Sequence, residues 1–240
     1  MDNCRLIHTY LILVLIFSAP IVSSGQGVVK DFETRAGLGY GVDISKKLDF
    51  TASHEFRIGE NSTLIRRSLT TLGLDYKLVS WLRFGINYRA GLNRKGDGTY
   101  GIRHRFMGDV VLRENWERFT FTNRIRFQQE YRTINYTGDI RGIPYSDLRN
   151  TIKINYRINQ QYRPYVSYDI RFLFREPGRS VDPFQDRIRY VVGLDTEFSK
   201  TSSLGIYFMY SGETNVVEPV QRYIIGLEYN FGAARPMLGT

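Results

Sequence analysis

Arginine is the residue type in this chain whose number could support specific chemistry, because it supplies 26 of the 33 basic residues. Planar guanidinium groups pair with carboxylates and phosphates, and rings of arginine select anions in membrane pores. These arginines form no run or patch, as a nucleic-acid surface would need; they recur on alternate positions opposite apolar residues. The pattern therefore favours an arginine-lined lumen over nucleic-acid binding. The arginines predicted to line it are Arg83, Arg89, Arg103, Arg105, Arg124, Arg126, Arg149, Arg171, Arg187 and Arg189.

Acidic residues fall on the same side of the pattern as the arginines. They are Asp75, Asp109, Asp169, Asp195 and Glu197. Because carboxylates beside arginines form ion pairs, we interpret them as ion-pair partners before we interpret them as a general acid and base. Two interpretations of the mixed charges stay open. The charges either interlock and close a narrow barrel, or they leave an anion-preferring pore.

Other residue types offer little catalytic chemistry. Beyond the N-terminal leader the chain has two histidines, His54 and His104, and both are predicted on the apolar side of their segments. Ser68 and Asn123 are also candidates for that side, but no serine stands in a recognisable nucleophile motif. Two histidines without a cysteine give no metal cluster of the usual spacing. The sequence therefore predicts no enzyme, no metal site and no cofactor.

The elements that position these residues are β-strands. Apolar residues occupy every second position from Leu72 to Leu78 and again from Leu82 to Leu92, with Asp75, Arg83 and Arg89 between them. A period of two places successive side chains on opposite faces of a strand. A small soluble barrel would fill its interior with apolar residues. A polar inner face and an apolar outer face instead predict an all-β, antiparallel transmembrane barrel.

The strand number follows from counting such segments. Eleven segments can be recognised, with short turns and longer loops alternating between them, and single-chain bacterial barrels usually have an even number. We therefore predict about 12 strands, with 10 as the alternative. The two longest connections, 131–146 and 175–185, are predicted to be extracellular loops.

The N-terminus resembles a secretory signal peptide. Arg5 and His8 precede an apolar run over 11–17, Pro20 interrupts it, and small residues follow before Gln26. This order of basic, apolar and small residues is typical of a cleaved leader. We predict a signal peptide over 1–25 and one barrel domain over 26–240, which would contain no cysteine.

Several stretches together resemble a known family. They are the Lys46-Lys47 turn, the strand end from His54 to Arg57, the arginine-rich strands 103–113 and 124–132, and the aromatic last strand. In these features the chain resembles the DUF2490 family of bacterial outer-membrane β-barrel proteins of unknown function, a type common in Bacteroidetes. The resemblance implies a Gram-negative outer-membrane location and a barrel fold, but no activity. The chain end also resembles an outer-membrane assembly signal, formed by Gly226, Tyr229 and Phe231.

Two functional hypotheses follow. The first is a narrow, porin-like channel for small anionic solutes. The alternative is a non-conducting structural or binding barrel with a salt-bridged lumen and extracellular loops that bind a partner. Under either hypothesis the expected partners are outer-membrane lipid and the outer-membrane assembly machinery, and nucleic acid is not among them.

Overall fold

The computed structural model describes residues 28–132, 144–175, 184–216 and 218–232. The predicted signal peptide lies outside these ranges, as do most of the two long predicted loops. The described residues form eleven strands. These are β1 (Val29–Asp43), β2 (Leu48–Gly59), β3 (Leu64–Val79), β4 (Leu82–Arg94), β5 (Tyr100–Trp116), β6 (Phe119–Arg132), β7 (Tyr145–Tyr156), β8 (Tyr162–Arg175), β9 (Phe184–Ser199), β10 (Ser202–Glu213) and β11 (Val220–Gly232).

The strands close into one barrel, which confirms the predicted all-β transmembrane fold. Each strand pairs antiparallel with the next along the chain, and β1 and β11 close the barrel by pairing parallel from Val29–Val220 to Gly41–Gly232. A parallel closing pair requires an odd number of strands, and the eleven strands of the described barrel are close to the predicted number of about 12. Closure leaves no strand edge unpaired, which a lipid environment requires of any spanning sheet.

The two faces of the wall divide as the alternation predicts. Ile86 is 66% exposed on the outer face, whereas Asp109 on the inner face of the neighbouring strand is 4% exposed. Large apolar side chains are exposed on the outside of every strand except β7, and buried charged side chains cover much of the inside. Hydrocarbon can therefore solvate the outer face while the charges meet one another inside. In the described ranges no helix is long and apolar enough to cross a membrane.

The barrel has two different ends. At one end, which we call the turn end, strands are joined by short connections, two residues long in 80–81, 117–118 and 200–201. At the other, the loop end, the connections run from the four residues 60–63 to the twelve residues 133–144. β1 and β11 both begin at the loop end, as their parallel pairing demands.

Candidate functional site in the barrel lumen

The predicted lumen residues all lie on the inner face, and several join in buried ion pairs at mid-height. Arg126 donates through Nε and Nη2 to both carboxylate oxygens of Asp109, each at 2.6 Å. Arg149 donates to Asp169 at 2.9 Å, and Arg189 approaches the same carboxylate to 3.8 Å. We call these five residues the ion-pair girdle. The side chains of Arg126 and Asp109 are only 5% and 1% exposed, so the girdle fills the lumen at this height with three arginines and two aspartates in contact.

Ion pairs also form nearer the turn end, but with partners that the sequence pattern did not indicate. Asp195 accepts from Lys153 at 3.3 Å, and Glu197 pairs with Arg163 at 2.9 Å, rather than with Arg187 or Arg189. The reason is distance along β9: Arg189 and Asp195 lie on the same strand, separated by roughly 20 Å at about 3.4 Å per residue, which is too far for an ion pair. On the other side of the lumen, Arg83 lies 4.0 Å from Asp49.

Part of the inner wall, on β8 to β11, is apolar rather than charged. Tyr165, Val191, Tyr207, Met209 and Ile224 form a buried cluster, which we call the packed sector. Met209 and Ile224 have no exposed surface. Sequence reasoning missed this sector because it treated inward positions as polar.

Glycines make room for the rings of the packed sector. The Tyr207 ring lies over Gly226, and the Tyr165 ring lies over Gly193, so closely that a Cβ on either glycine would overlap the ring. The register places Tyr207 directly opposite both Gly193 and Gly226. The glycines therefore let two tyrosines lie flat along the inner wall and fill the lumen on this side.

A second group of arginines lies at the loop end of β2 to β5, and we call it the loop-end arginine cluster. Its members are Arg57, Arg67, Arg89, Arg103 and Arg105. Within the described ranges two carboxylates pair with its members: Glu55 accepts from Arg57 at 2.5 Å, and Glu130 accepts from Arg103 at 2.8 Å and from Arg105. Glu33, whose charge also acts on Arg57 and Arg67, is paired with Arg35 at 2.6 Å. Arg89 donates to the Thr71 hydroxyl at 2.8 Å. Five positive and two negative charges leave a surplus of three.

The arginines across the lumen are better compensated. Arg171 pairs with Asp186 through two hydrogen bonds, and Glu213 accepts from Arg187 at 2.5 Å and from Arg222 at 3.3 Å. Asp186 occupies a β-bulge of β9, between the pairs that Arg187 and Gln185 make with β8. A bulge shifts the alternation by one residue, which is why the period-two pattern did not reveal this carboxylate. The larger surplus of positive charge thus lies on the β2–β5 side.

Within the ranges that the structure describes, the lumen contains small cavities between its charged side chains. A cavity of about 40 Å³ lies beside the girdle and is lined by Asp75, Asp109, Arg126 and Glu228 among others. A second cavity of about 20 Å³ lies within the loop-end arginine cluster. A single water needs roughly 10–15 Å³ of such volume. Each cavity therefore has room for a few water-sized groups at most.

The histidines lie on the outer face, as predicted. His54 Nδ1 lies 2.9 Å from the Thr70 hydroxyl and His54 Nε2 lies 3.2 Å from the Ser68 hydroxyl. This order of hydroxyl, imidazole and hydroxyl is that of a nucleophile, a base and an orienting group. Hydrolysis would also need donors for an oxyanion, but β2 and β3 engage their backbone N–H groups in the sheet. Asn123, the other outer-face candidate, accepts from Asn150 at 3.3 Å and has no contact with this group.

Among the described residues, no three His, Cys, Asp or Glu side chains converge on one point where they could hold a metal ion.

The assembly-signal residues divide between the faces of β11. Gly226 faces inward beneath Tyr207, whereas Tyr229 and Phe231 face outward with their ring centroids 6.4 Å apart. Their role in assembly stays a prediction.

Comparison with known proteins identifies the family. The model of a family described as "Protein of unknown function (DUF2490)" matches residues 36–217. The chain belongs to this family. Its sequence matches none of the curated proteins with which it was compared.

Solved structures with low sequence identity share the fold. A structure titled "Bacterial polysaccharide outer membrane secretin" is similar over 79% of this chain and 66% of its own, with a TM-score of 0.52 and 8% identity. "LpxR from Salmonella typhimurium" is similar over 81% of this chain and 86% of its own, with a TM-score of 0.50 and 11% identity. These likenesses show that the barrel fold matches that of outer-membrane proteins. They carry no information on activity.

Proposed function

We propose that this protein is a non-conducting outer-membrane barrel that binds an anionic group of a small solute in the loop-end arginine cluster. The observation that carries the proposal is the surplus of three positive charges in a half-buried space. Arg67 has no ion pair among the described residues, and Arg89 has only a hydroxyl. Because an uncompensated charge in a poorly solvated site costs several kcal/mol, a bound anion would stabilise this arrangement.

The chemistry of the cluster favours a carboxylate or a phosphate. Each of these groups presents a pair of oxygens that can accept two hydrogen bonds from one guanidinium. The cavity of about 20 Å³ is too small for a whole solute, so only the anionic group would enter it. The side chain of Arg103 is 33% exposed, which makes the loop end the route of entry.

Anion-dependent stability tests the proposal. We expect inorganic phosphate to raise the Tm of the barrel in detergent, compared with sodium chloride at equal ionic strength. Arg67→Gln should abolish this stabilisation, because it removes the unpaired guanidinium. Arg157→Gln is the matched control, since Arg157 is an exposed arginine at the turn end whose guanidinium donates to the Glu117 carbonyl oxygen. Equal phosphate stabilisation in both variants would contradict the proposal.

A narrow anion channel is the second candidate. Arg89 lines both lumen cavities, so the two spaces lie end to end along the barrel axis. Conduction would require the ion-pair girdle to open, which makes the non-conducting barrel the better-supported function. Recordings in planar bilayers distinguish the two. Anion-selective steps would replace the binding proposal with the channel, whereas absent conductance or cation selectivity would remove the channel.

The location is part of the same proposal. An apolar outer face and a closed barrel support insertion into the outer membrane, after cleavage of a signal peptide over 1–25 and recognition of the last strand by the assembly machinery. Membrane fractionation and heat-modifiable gel mobility test the location. Recovery of the mature chain, residues 26–240, in a soluble fraction would contradict it.

A further inference from the structure

The outer wall of β2 to β6 carries an apolar groove of about 530 Å³, which we call the outer groove. Gly108 forms its floor, and no atom lies within 4 Å of the position that a Cβ on this glycine would take. The apolar side chains that border it include Phe50, Leu72, Leu74, Ile86, Tyr88, Phe106 and Phe127, and the polar Gln129 borders it as well. A volume of roughly 300–1,000 Å³ is typical of small-molecule sites. The groove is therefore large enough to hold a specific ligand from the bilayer.

Strand register places a polar row directly above this groove, on the loop-end side. The groove occupies two cross-strand rows: one runs from Leu74 through Ile86 to Gly108, and the next contains Tyr88 and Phe106. Next towards the loop end, the pairings of β2 to β6 bring four polar side chains into one row. These are His54, Thr70, His104 and Tyr131. Adjacent rows are about 7 Å apart, since each strand residue rises roughly 3.4 Å.

The polar row is linked to the groove by hydrogen bonds. The Tyr88 hydroxyl, from the groove wall, lies 2.6 Å from His104 Nδ1. With Tyr88 as the donor, the His104 proton lies on Nε2, which has no partner in the part of the chain that the structure describes. His54 joins Thr70 and Ser68 in the same band. Placing a polar group on a lipid-facing wall costs free energy unless the group has a hydrogen-bond partner. A ligand that accepts hydrogen bonds there would therefore stabilise the polar row.

The charges around the row identify the kind of ligand group. The nearest basic residues at the loop end are already paired, Arg66 with Asp31 at 2.9 Å and Arg94 with Glu60 at 3.1 Å. The row thus offers neutral donors rather than free positive charge. Neutral donors suit an ester carbonyl, whereas a phosphate would favour arginine. An ester carbonyl at the row would direct its own acyl chain into the apolar groove.

We propose that the outer groove and the polar row form a binding site for one acyl ester of a diacyl glycerophospholipid. The acyl chain lies over Gly108, and its ester carbonyl accepts a hydrogen bond from His104. This site lies on the outer wall and is independent of the anion site proposed in the lumen. The site differs from the general contact of the barrel with lipid, because Gly108 and the polar row define its position.

Native mass spectrometry of the barrel in detergent, with added dioleoyl phosphatidylethanolamine, tests the groove. We expect the unmodified protein to retain one lipid and Gly108→Leu to bind it about tenfold more weakly, which is roughly 1.4 kcal/mol. Leucine should fit at Gly108 without a clash, because the space beyond it is open. Ala36→Leu is the matched control, an exposed outer-face position on β1 away from the groove. Equal retention by the two variants would overturn the proposal.

The diether analogue of the same lipid tests the polar row. Loss of one neutral hydrogen bond should weaken binding to the unmodified protein by about threefold. His104→Phe should bind the ester and the ether equally, since it removes the donor. An unmodified protein that does not distinguish ester from ether would overturn the role of the row. A lipopolysaccharide that displaces the phospholipid through a Gly108-dependent contact would overturn the choice of lipid.

Discussion

The two sides of the lumen are filled by opposite means. On β8 to β11 the packed sector, alongside compensated ion pairs, fills the lumen with tyrosine rings laid over glycines and with Met209 and Ile224. On β2 to β6 charged side chains meet across the space and leave two small cavities. The packing density of an apolar protein interior is close to that of an organic crystal, so a change of side-chain volume there destabilises the fold. Charged side chains can exchange one partner for another, so the charged side is where a ligand could enter.

Breaking one member of the ion-pair girdle should have the largest effect. Asp109→Ala leaves Arg126 buried without its carboxylate, which should lower the free energy of unfolding by about 3–5 kcal/mol. Arg126→Ala added to Asp109→Ala should restore much of the loss, because no charge is then left alone. Urea unfolding in vesicles measures both variants. Equal losses in the single and double variants would show that the pair does not behave as a unit.

The packed sector should respond to a cavity instead. Met209→Ala removes a side chain with no exposed surface, and we expect a loss of about 2–5 kcal/mol. Unlike the loss caused by Asp109→Ala, this one should be the same at low and high salt, because no charge changes. Unfolding at two ionic strengths checks it. A salt-dependent loss would mean that the two sides of the lumen are coupled.

A smaller change tests the tyrosine and glycine packing. Gly226→Ala forces the Tyr207 ring to move, which should cost about 1–3 kcal/mol. Gly108→Ala is the matched control on the outer face, where the added methyl group meets open space, and its effect should stay within about 0.5 kcal/mol. The difference in unfolding midpoint between the variants measures the effect. Similar midpoints would mean that the ring does not depend on the glycine.

Cysteine labelling should separate the outer face from the lumen with no large change in stability. Ile86→Cys should resist a water-soluble maleimide because it faces lipid. Asn87→Cys should react slowly, because the cavities beside it have room for only a few water-sized groups. Lys95→Cys, in an exposed connection at the loop end, is the fast-reacting control. Reaction of Ile86→Cys at the rate of Lys95→Cys would contradict the barrel orientation.

Period-two alternation was enough to predict the strands and their faces. It predicted a strand from Leu82 to Leu92, for example, and the structure has Leu82–Arg94. It could not predict the strand number, because closure depends on how β1 meets β11 and not on either sequence alone. It also missed Asp186, where a bulge shifts the alternation, and Tyr207, whose inward ring depends on glycines of two other strands.

The functional residues were predictable to different degrees. The inward arginines followed from the alternation, but their partners depended on register, as the pairing of Asp195 with Lys153 shows. His54 and Ser68 could be assigned to the outer face from sequence. That His104 and Tyr131 would extend the same row could not, because a shift of one residue in any of four pairings would break the row.

Because β1 and β11 pair parallel, the chain enters and leaves the barrel wall at opposite ends. The chain enters the wall at the loop end, at Val29, and leaves it at the turn end, at Gly232. A tag joined ahead of Val29 and a tag joined behind Gly232 would thus be displayed on opposite sides of the bilayer. Antibody access to two such tags, in intact and in permeabilised cells, would show without a structure whether the number of strands is odd or even.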